Sequence, residues 1–219
     1  MANFAYTIPA APFPTTHVNY LAHALLAGPD PDSRLGGLLG DFVKGTPASF
    51  DPRLPPGVVA GIALHRQIDR YADTHPAFQA SRGRVSALRR RYAGVMIDMF
   101  YDHFLALGWS RYCDQPLDEF AAETYALLAD HALLLPPRLR GMLPHMREQN
   151  WLVSYACAAG IGTALDGISR HRLTRPNPLA GGVEELLSNY ADLETDFGTF
   201  MDAAVAFAHA WRNRPAANR

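Results

Sequence analysis

The chain has 219 residues, 48% of them hydrophobic and 19% charged, with a formal net charge of −1. That length suits one domain burying roughly 70% of its unfolded surface, and the composition excludes a disordered or collagen-like chain. The charge balance excludes a nucleic-acid polyanion binder, and no apolar run approaches the length of a transmembrane helix.

In chain order, residues 1–16 carry Pro9, Pro12 and Pro14 without helical period, and read as a mobile leader rather than a signal peptide. An apolar helix is predicted over 18–27, stopped by Gly28-Pro29-Asp30-Pro31. A short one over 35–44 is stopped by Gly45 and Pro47, and Pro55-Pro56 opens a long helix to Thr74, before Pro76. An Arg-rich helix over 78–92 and a very apolar one over 95–109 follow. Further helices are expected over 117–135, 138–146, 151–159 and 160–170, and a long one over 179–212, leaving 213–219 as a tail. Alternating strand patterns are missing, so the expectation is all-α, a single compact helical bundle over 17–212. Cys113 and Cys157 form neither a disulfide framework nor a CxxC pair, which makes a reduced, cytoplasmic setting the default.

Chemistry concentrates where ionisable residues fall on apolar faces. On the 56–74 helix, Val58, Ile62, Ile68 and Ala72 gather on one side and Arg66, Gln67 and Arg70 on the other. His65 and Asp69, one turn apart, lie inside the apolar arc, and Asp73 sits at its edge. A buried His–Asp pair that docks helices is one reading, although desolvation makes such pairs weak stabilisers. The 95–109 helix is apolar all round except for Tyr101, Asp98, Asp102 and His103. Asp98 and Asp102 share a face, and two carboxylates in dry surroundings repel. A protonated pair, arginine partners or one divalent cation would each relieve that. His23 and Asp41 sit in similarly apolar segments; a carbonyl partner for His23 and a pairing of Asp41 with Lys44 are the plainer alternatives. The set His23, Asp41, His65, Asp69, Asp98 and Asp102, with Asp73 and His103 behind it, is rich in oxygen and lacks thiolate. It suits Mn²⁺, Mg²⁺ or Fe²⁺ better than structural zinc.

At these residues the sequence resembles a known family. Asn19-Tyr20-Leu21-Ala22-His23 opens the match, and Leu38-Leu39-Gly40-Asp41-Phe42-Val43-Lys44-Gly45 continues it. Val59-Ala60-Gly61-Ile62-Ala63-Leu64-His65-Arg66-Gln67-Ile68-Asp69 follows with Asp73, then Asp98 with Asp102-His103-Phe104-Leu105 and Trp109. These segments, in order over roughly residues 18 to 205, resemble the acyl carrier protein phosphodiesterases, also called acyl carrier protein hydrolases. The resemblance implies an Mn²⁺-dependent enzyme that removes 4′-phosphopantetheine from holo-acyl carrier protein, with an HD-like helical fold related to metal phosphohydrolases. Two departures stand out. No adjacent His-Asp dipeptide occurs, the nearest being the reversed Asp102-His103, and Gly37 stands where the family's Gly-Asn-Leu-Leu motif places Asn.

On that reading His23, His65, Asp69, Asp98 and Asp102 hold the metal, and Asp41 is a ligand or the base that orients water. His103 or Asp73 would protonate the leaving serine oxygen, and Lys44 and Arg66 would contact phosphate. Acyl carrier proteins are small and acidic, so Arg82, Arg84, Arg89, Arg90 and Arg91, five arginines in ten residues, are the candidate docking patch. A solvated helix face is the alternative for that cluster. Three rival classes remain: an HD-like phosphohydrolase of nucleotides or small phosphodiesters, a non-catalytic helical module with structural buried charges, and a di-iron carboxylate bundle. The last lacks the Glu-x-x-His pairs it needs in this set.

Overall fold

Proline and asparagine punctuate this chain, and the helices begin and end largely where they fall. The computed structural model describes residues 19–171, 173 and 175–214; the leader 1–16 and positions 215–219 of the tail lie outside the described residues. Helix α1 (Tyr20–Leu26) leads into α2 (Pro31–Leu39), whose N-cap Asp30 accepts the Ser33 amide at 2.8 Å with Pro31 at N1. Pro56 and Pro76 likewise occupy the first turns of α3 (Pro56–Thr74) and α4 (Pro76–Arg84). Then come α5 (Ala93–Leu107), α6 (Leu117–Asp130), α7 (Pro137–Glu148), α8 (Trp151–Ser154), α9 (Ala158–His171), α10 (Val183–Ser188) and α11 (Tyr190–Arg212). Among the described residues there is no strand, so the all-α expectation holds, and no helix is long and apolar enough to cross a membrane.

Helix α5 is the central element. Met96, Ile97, Met99, Phe100 and Leu105 are fully buried, as its lack of a wet face requires. It touches α1, α4, α9 and α11. The closest crossing is that of α2 with α3. A Cβ on Gly36 would sit 2.7 Å from Gly61 Cα, so only glycine lets the two backbones meet there. That contact brings the C-terminal end of α2 and the turn after it against the middle of α3.

Several boundaries differ from the sequence reading, among them that of the 151–159 helix, which stops at Ser154 before α9 begins at Ala158. Helix α2 starts at Pro31, because Asp30 caps it, and stops at Leu39, which leaves Asp41 and Lys44 in the turn and loop beyond. The Arg-rich helix ends at Arg84, and Arg90–Tyr92 forms only a 3-10 turn. There the backbone of Ser86 and the side chain of Arg89 bond to Glu185 instead of continuing a helix. Helix α6 ends at Asp130 rather than Leu135, with the His131 ring donating to the Leu127 carbonyl at 2.9 Å. The long C-terminal helix is broken at Asn189, whose side-chain amide donates to the Glu185 carbonyl at 2.9 Å and separates α10 from α11.

Candidate metal centre

Two helices, α1 and α3, and the turn after α2 bring four ionisable side chains together. His65 and Asp69 project from one face of α3 toward α1 and the turn after α2. The Nδ1 of His65 lies 2.7 Å from the Gly37 carbonyl, which can only accept, so Nδ1 carries the proton. That bond orients Nε2 inward, 3.3 Å from Asp69 Oδ2 and 3.6 Å from Asp41 Oδ1. From α1, the His23 ring stacks on His65 with centroids 3.7 Å apart, and its Nε2 lies 3.1 Å from Asp69 Oδ1. Ligand-capable atoms of His23, His65 and Asp69 all lie within 4.8 Å of one another. His23, His65 and Asp41 are buried; Asp69, with 20% of its side chain exposed, marks where the group meets solvent.

The donor set fits a divalent cation. His23 Nδ1 and Nε2 and Asp69 Oδ1 are buried and form no hydrogen bond, despite the short approach of two of them. Leaving such groups unsatisfied costs about 1–3 kcal/mol each. Nitrogen and oxygen donors within 4.8 Å of one another, with the far nitrogen of His65 held by a carbonyl, form the pattern of a metal site with its outer support.

Charge points the same way. Burial works against a charged His65, but the Asp41 and Asp69 carboxylates outweigh it and raise its pKa to about 10. Burial likewise opposes ionised Asp69, yet His23 and His65 hold it below the usual carboxylate range. His23 is pushed down by burial and by the neighbouring His65 charge. Without a metal, a proton on His65 is therefore the cation between two carboxylates, and a divalent ion would take over that role.

The remaining expected site residues lie outside this group of three. Both oxygens of buried Asp102 accept backbone amides at the start of α1, from Leu21 at 3.0 Å and Ala22 at 2.9 Å. Burial, and then the charge of Asp98, raise its pKa well above the ordinary value against the pull of those amides. Asp98 is buried one turn earlier on α5, and neither carboxylate joins the group within 4.8 Å. The expectation that His103 or Asp73 delivers a proton to the leaving group meets a different geometry. His103 donates from Nδ1 to the Tyr155 carbonyl at 2.7 Å and accepts the Tyr190 hydroxyl at Nε2 at 3.1 Å. Burial lowers its pKa, so it is a neutral peg between α5, the end of α8 and α11. Asp73 is exposed and pairs with Arg82 at 3.1 Å.

The cations are redistributed too. Arg66 is half-buried and folds back onto its own protein, donating to the Gly45 and Val43 carbonyls at 2.7 and 2.8 Å. Lys44 is exposed between them. Of the arginine cluster, Arg82 is paired with Asp73 and Arg84 with Asp192 and Asp196. Arg89 donates to the Pro178 carbonyl at 2.8 Å and lies 3.4 Å from Glu185, so it braces the fold and is not a free docking residue. Arg90 and Arg91 are exposed, Arg90 with its Nε donating to the Val85 carbonyl at 2.9 Å. Sequence reasoning missed the support group, Gly37, Gly40 and Arg66 as a clamp. Its one visible signal was the density of glycine in Gly36-Gly37-Leu38-Leu39-Gly40, immediately before Asp41.

Fold and site together define an all-helical protein with a buried group of two imidazoles and a carboxylate able to hold a divalent cation. The sequence profile described as acyl carrier protein phosphodiesterase matches residues 18–204. The chain is 38% identical over 186 residues to the acyl carrier protein phosphodiesterase of Serratia proteamaculans, covering 84% of this chain and 93% of that one. It is 34% identical over 184 residues to that of Photorhabdus laumondii, covering 84% and 91%, and 35% identical over 196 residues to that of Escherichia coli O157:H7, covering 87% and 97%. The chain belongs to the acyl carrier protein phosphodiesterase family. No solved structure matches it, so kinship with HD-type phosphohydrolases rests on the sequence resemblance alone.

Proposed function

We propose that the protein is a phosphoric diester hydrolase acting on holo-acyl carrier protein, cleaving the bond between 4′-phosphopantetheine and the carrier serine to leave the apo form. Family membership supports the substrate, and the convergence of His23, His65 and Asp69 within 4.8 Å is the observation that carries the chemistry. These three residues would hold the ion, Mn²⁺ in our reading, with Mg²⁺ and Fe²⁺ as the other oxygen- and nitrogen-compatible choices. When bound, a divalent cation supplies positive charge against the phosphate oxygens and acidifies the attacking water.

The chain's own residues then divide the remaining work. Asp41, buried and 3.6 Å from His65 Nε2, adds a negative charge that favours a bound cation, orients that water and takes its proton. His65 is held in one tautomer by Gly37, so its inner nitrogen is always presented to the centre. Lys44, exposed three residues after Asp41, offers its ammonium to the phosphate. Asp102 acts at one remove, by fixing the start of α1 and so the place of His23, and Asp98 lies behind it on α5. Arg90 and Arg91 are the exposed members of the arginine cluster left to steer an acidic partner. We place the protein in the cytoplasm, since Cys113 and Cys157 are unbridged.

Mass spectrometry of holo-acyl carrier protein, incubated with this protein and Mn²⁺, tests the reading. Loss of the phosphopantetheine mass is expected. An unchanged carrier with folded, metal-loaded protein would overturn it, and equal turnover of small model diesters would favour the general phosphohydrolase instead.

A further inference from the structure

We propose that Arg66 is a positioning residue: a guanidinium clamp that holds the loop bearing Asp41 and Lys44 against the helix bearing His65 and Asp69. The inference rests on the preceding reading of the site and assigns a task to a residue which that reading leaves unused. Arg66 follows His65 directly on α3. Its Nη1 donates to the Gly45 carbonyl at 2.7 Å and its Nη2 to the Val43 carbonyl at 2.8 Å, while its guanidinium carbon lies 5.1 Å from the centroid of the Phe50 ring. Fork and flat face are both engaged, which a flexible ammonium cannot reproduce.

The loop needs such a hold. From Lys44 to Ser49 every residue is exposed, and Gly45 turns the chain with φ of +88°. Exposed segments of this kind open at little free-energy cost unless tied down. Asp41 lies two residues before the first clamped carbonyl and Lys44 lies between the two, so the clamp fixes where the carboxylate and the ammonium stand relative to His65 Nε2. With two of its nitrogens spent on carbonyls, Arg66 acts on the reaction through the loop and not by touching phosphate.

Lys44 is the sole lysine of the chain, so a protease that cuts only after lysine reads this loop and nothing else. The metal-free wild type is expected to resist such cleavage. Arg66→Ala and the milder Arg66→Gln are expected to be cut at least tenfold faster, giving fragments 1–44 and 45–219. Equal rates in folded variants would overturn the proposal. A second arm measures Mn²⁺ affinity by calorimetry in Asp41→Ala, Arg66→Gln and the double variant. If Arg66 works through Asp41, its several-fold loss disappears in the Asp41→Ala background. Fully additive losses would overturn the clamp in favour of an independent contact. Unchanged affinity in Asp41→Ala would sink the placement of Asp41 at the centre, while the protease arm still decides the clamp.

Discussion

Gly40 and His65 occupy one space. A Cβ on residue 40 would overlap Cγ of the imidazole, although Gly40 has ordinary helical dihedrals. Glycine is required here for clearance and not for backbone freedom. The ring lies flat against the chain, and from that position its Nδ1 reaches the Gly37 carbonyl at 2.7 Å.

Gly40→Ala should therefore displace the His65 ring. Overpacking of this kind costs about 1–3 kcal/mol, and losing the outer support of a ligand lowers metal affinity roughly 10–100-fold. Thermal unfolding and Mn²⁺ titration of the variant check both, and wild-type affinity would show that the ring tolerates displacement.

Asp102→Asn should loosen α1. The amide keeps one acceptor for the Leu21 and Ala22 N–H groups and turns a donor toward the other. A loss of about 1–3 kcal/mol in urea unfolding is expected. Mn²⁺ affinity should fall less than in Asp69→Asn, because Asp102 sets the place of His23 without entering the group of three. An affinity loss equal to that of Asp69→Asn would make Asp102 a ligand after all.

Metal binding should release a proton. Below pH 10 the metal-free site carries its proton on His65, whose pKa rises from 6.5 to about 10 because two carboxylates outweigh burial. A ligating imidazole must be neutral, so affinity should climb with pH across the neutral range, by about tenfold per unit. Calorimetry at pH 7 in buffers of different ionisation enthalpy should count about one proton released per Mn²⁺; none released would remove His65 from the ligand set. The metal-free protein behaves oppositely. His65 binds its proton more tightly folded than unfolded, so its stabilisation is complete below pH 6.5 and is lost as pH rises toward 10.

Bound Mn²⁺ should also raise the melting temperature. At one hundred times Kd the linkage amounts to about 2.7 kcal/mol, or roughly 5–11 °C for a chain of this size. His65→Ala and Asp69→Asn should abolish the shift in differential scanning fluorimetry, and a shift that survives both would place the ion elsewhere.

The arginine cluster should divide by partner. Arg89→Ala leaves Glu185, with 10% of its side chain exposed, without its cation and should cost about 1–3 kcal/mol of stability. Arg91→Glu should leave stability within about 0.5 kcal/mol but raise KM for holo-acyl carrier protein several-fold, with the gap narrowing as salt is added; Arg90→Glu should raise KM likewise and also cost about 0.5–1.5 kcal/mol, because its Nε donates to the Val85 carbonyl at 2.9 Å. Unfolding curves and salt-dependent kinetics separate the two, and a salt-independent KM would remove these arginines from docking.

Much of the protein was legible along the chain. Pro55-Pro56 announces the start of α3, the unbroken apolarity of α5 announces its central place, and the i, i+4 spacing of His65 and Asp69 puts both on one buried face, while Pro31 and Pro76, read along the chain only as stops, open α2 and α4. Helical periodicity is a local property, read from residues within two turns of one another. It tells which way a side chain faces, but not what waits there. Asp102 and His103 both point inward, and one meets amides of α1 while the other meets Tyr155 and Tyr190. Arg84 meets Asp196 from 112 residues away, so five close arginines are not one basic surface. Those partners are chosen by the crossing of helices distant in sequence, above all the glycine-lined approach of α2 to α3 that sets Asp41 beside His65. The direction of each group belongs to the sequence; its partner belongs to the packing, because charge and hydrogen-bonding energies depend on a few ångströms that only the assembled helices define.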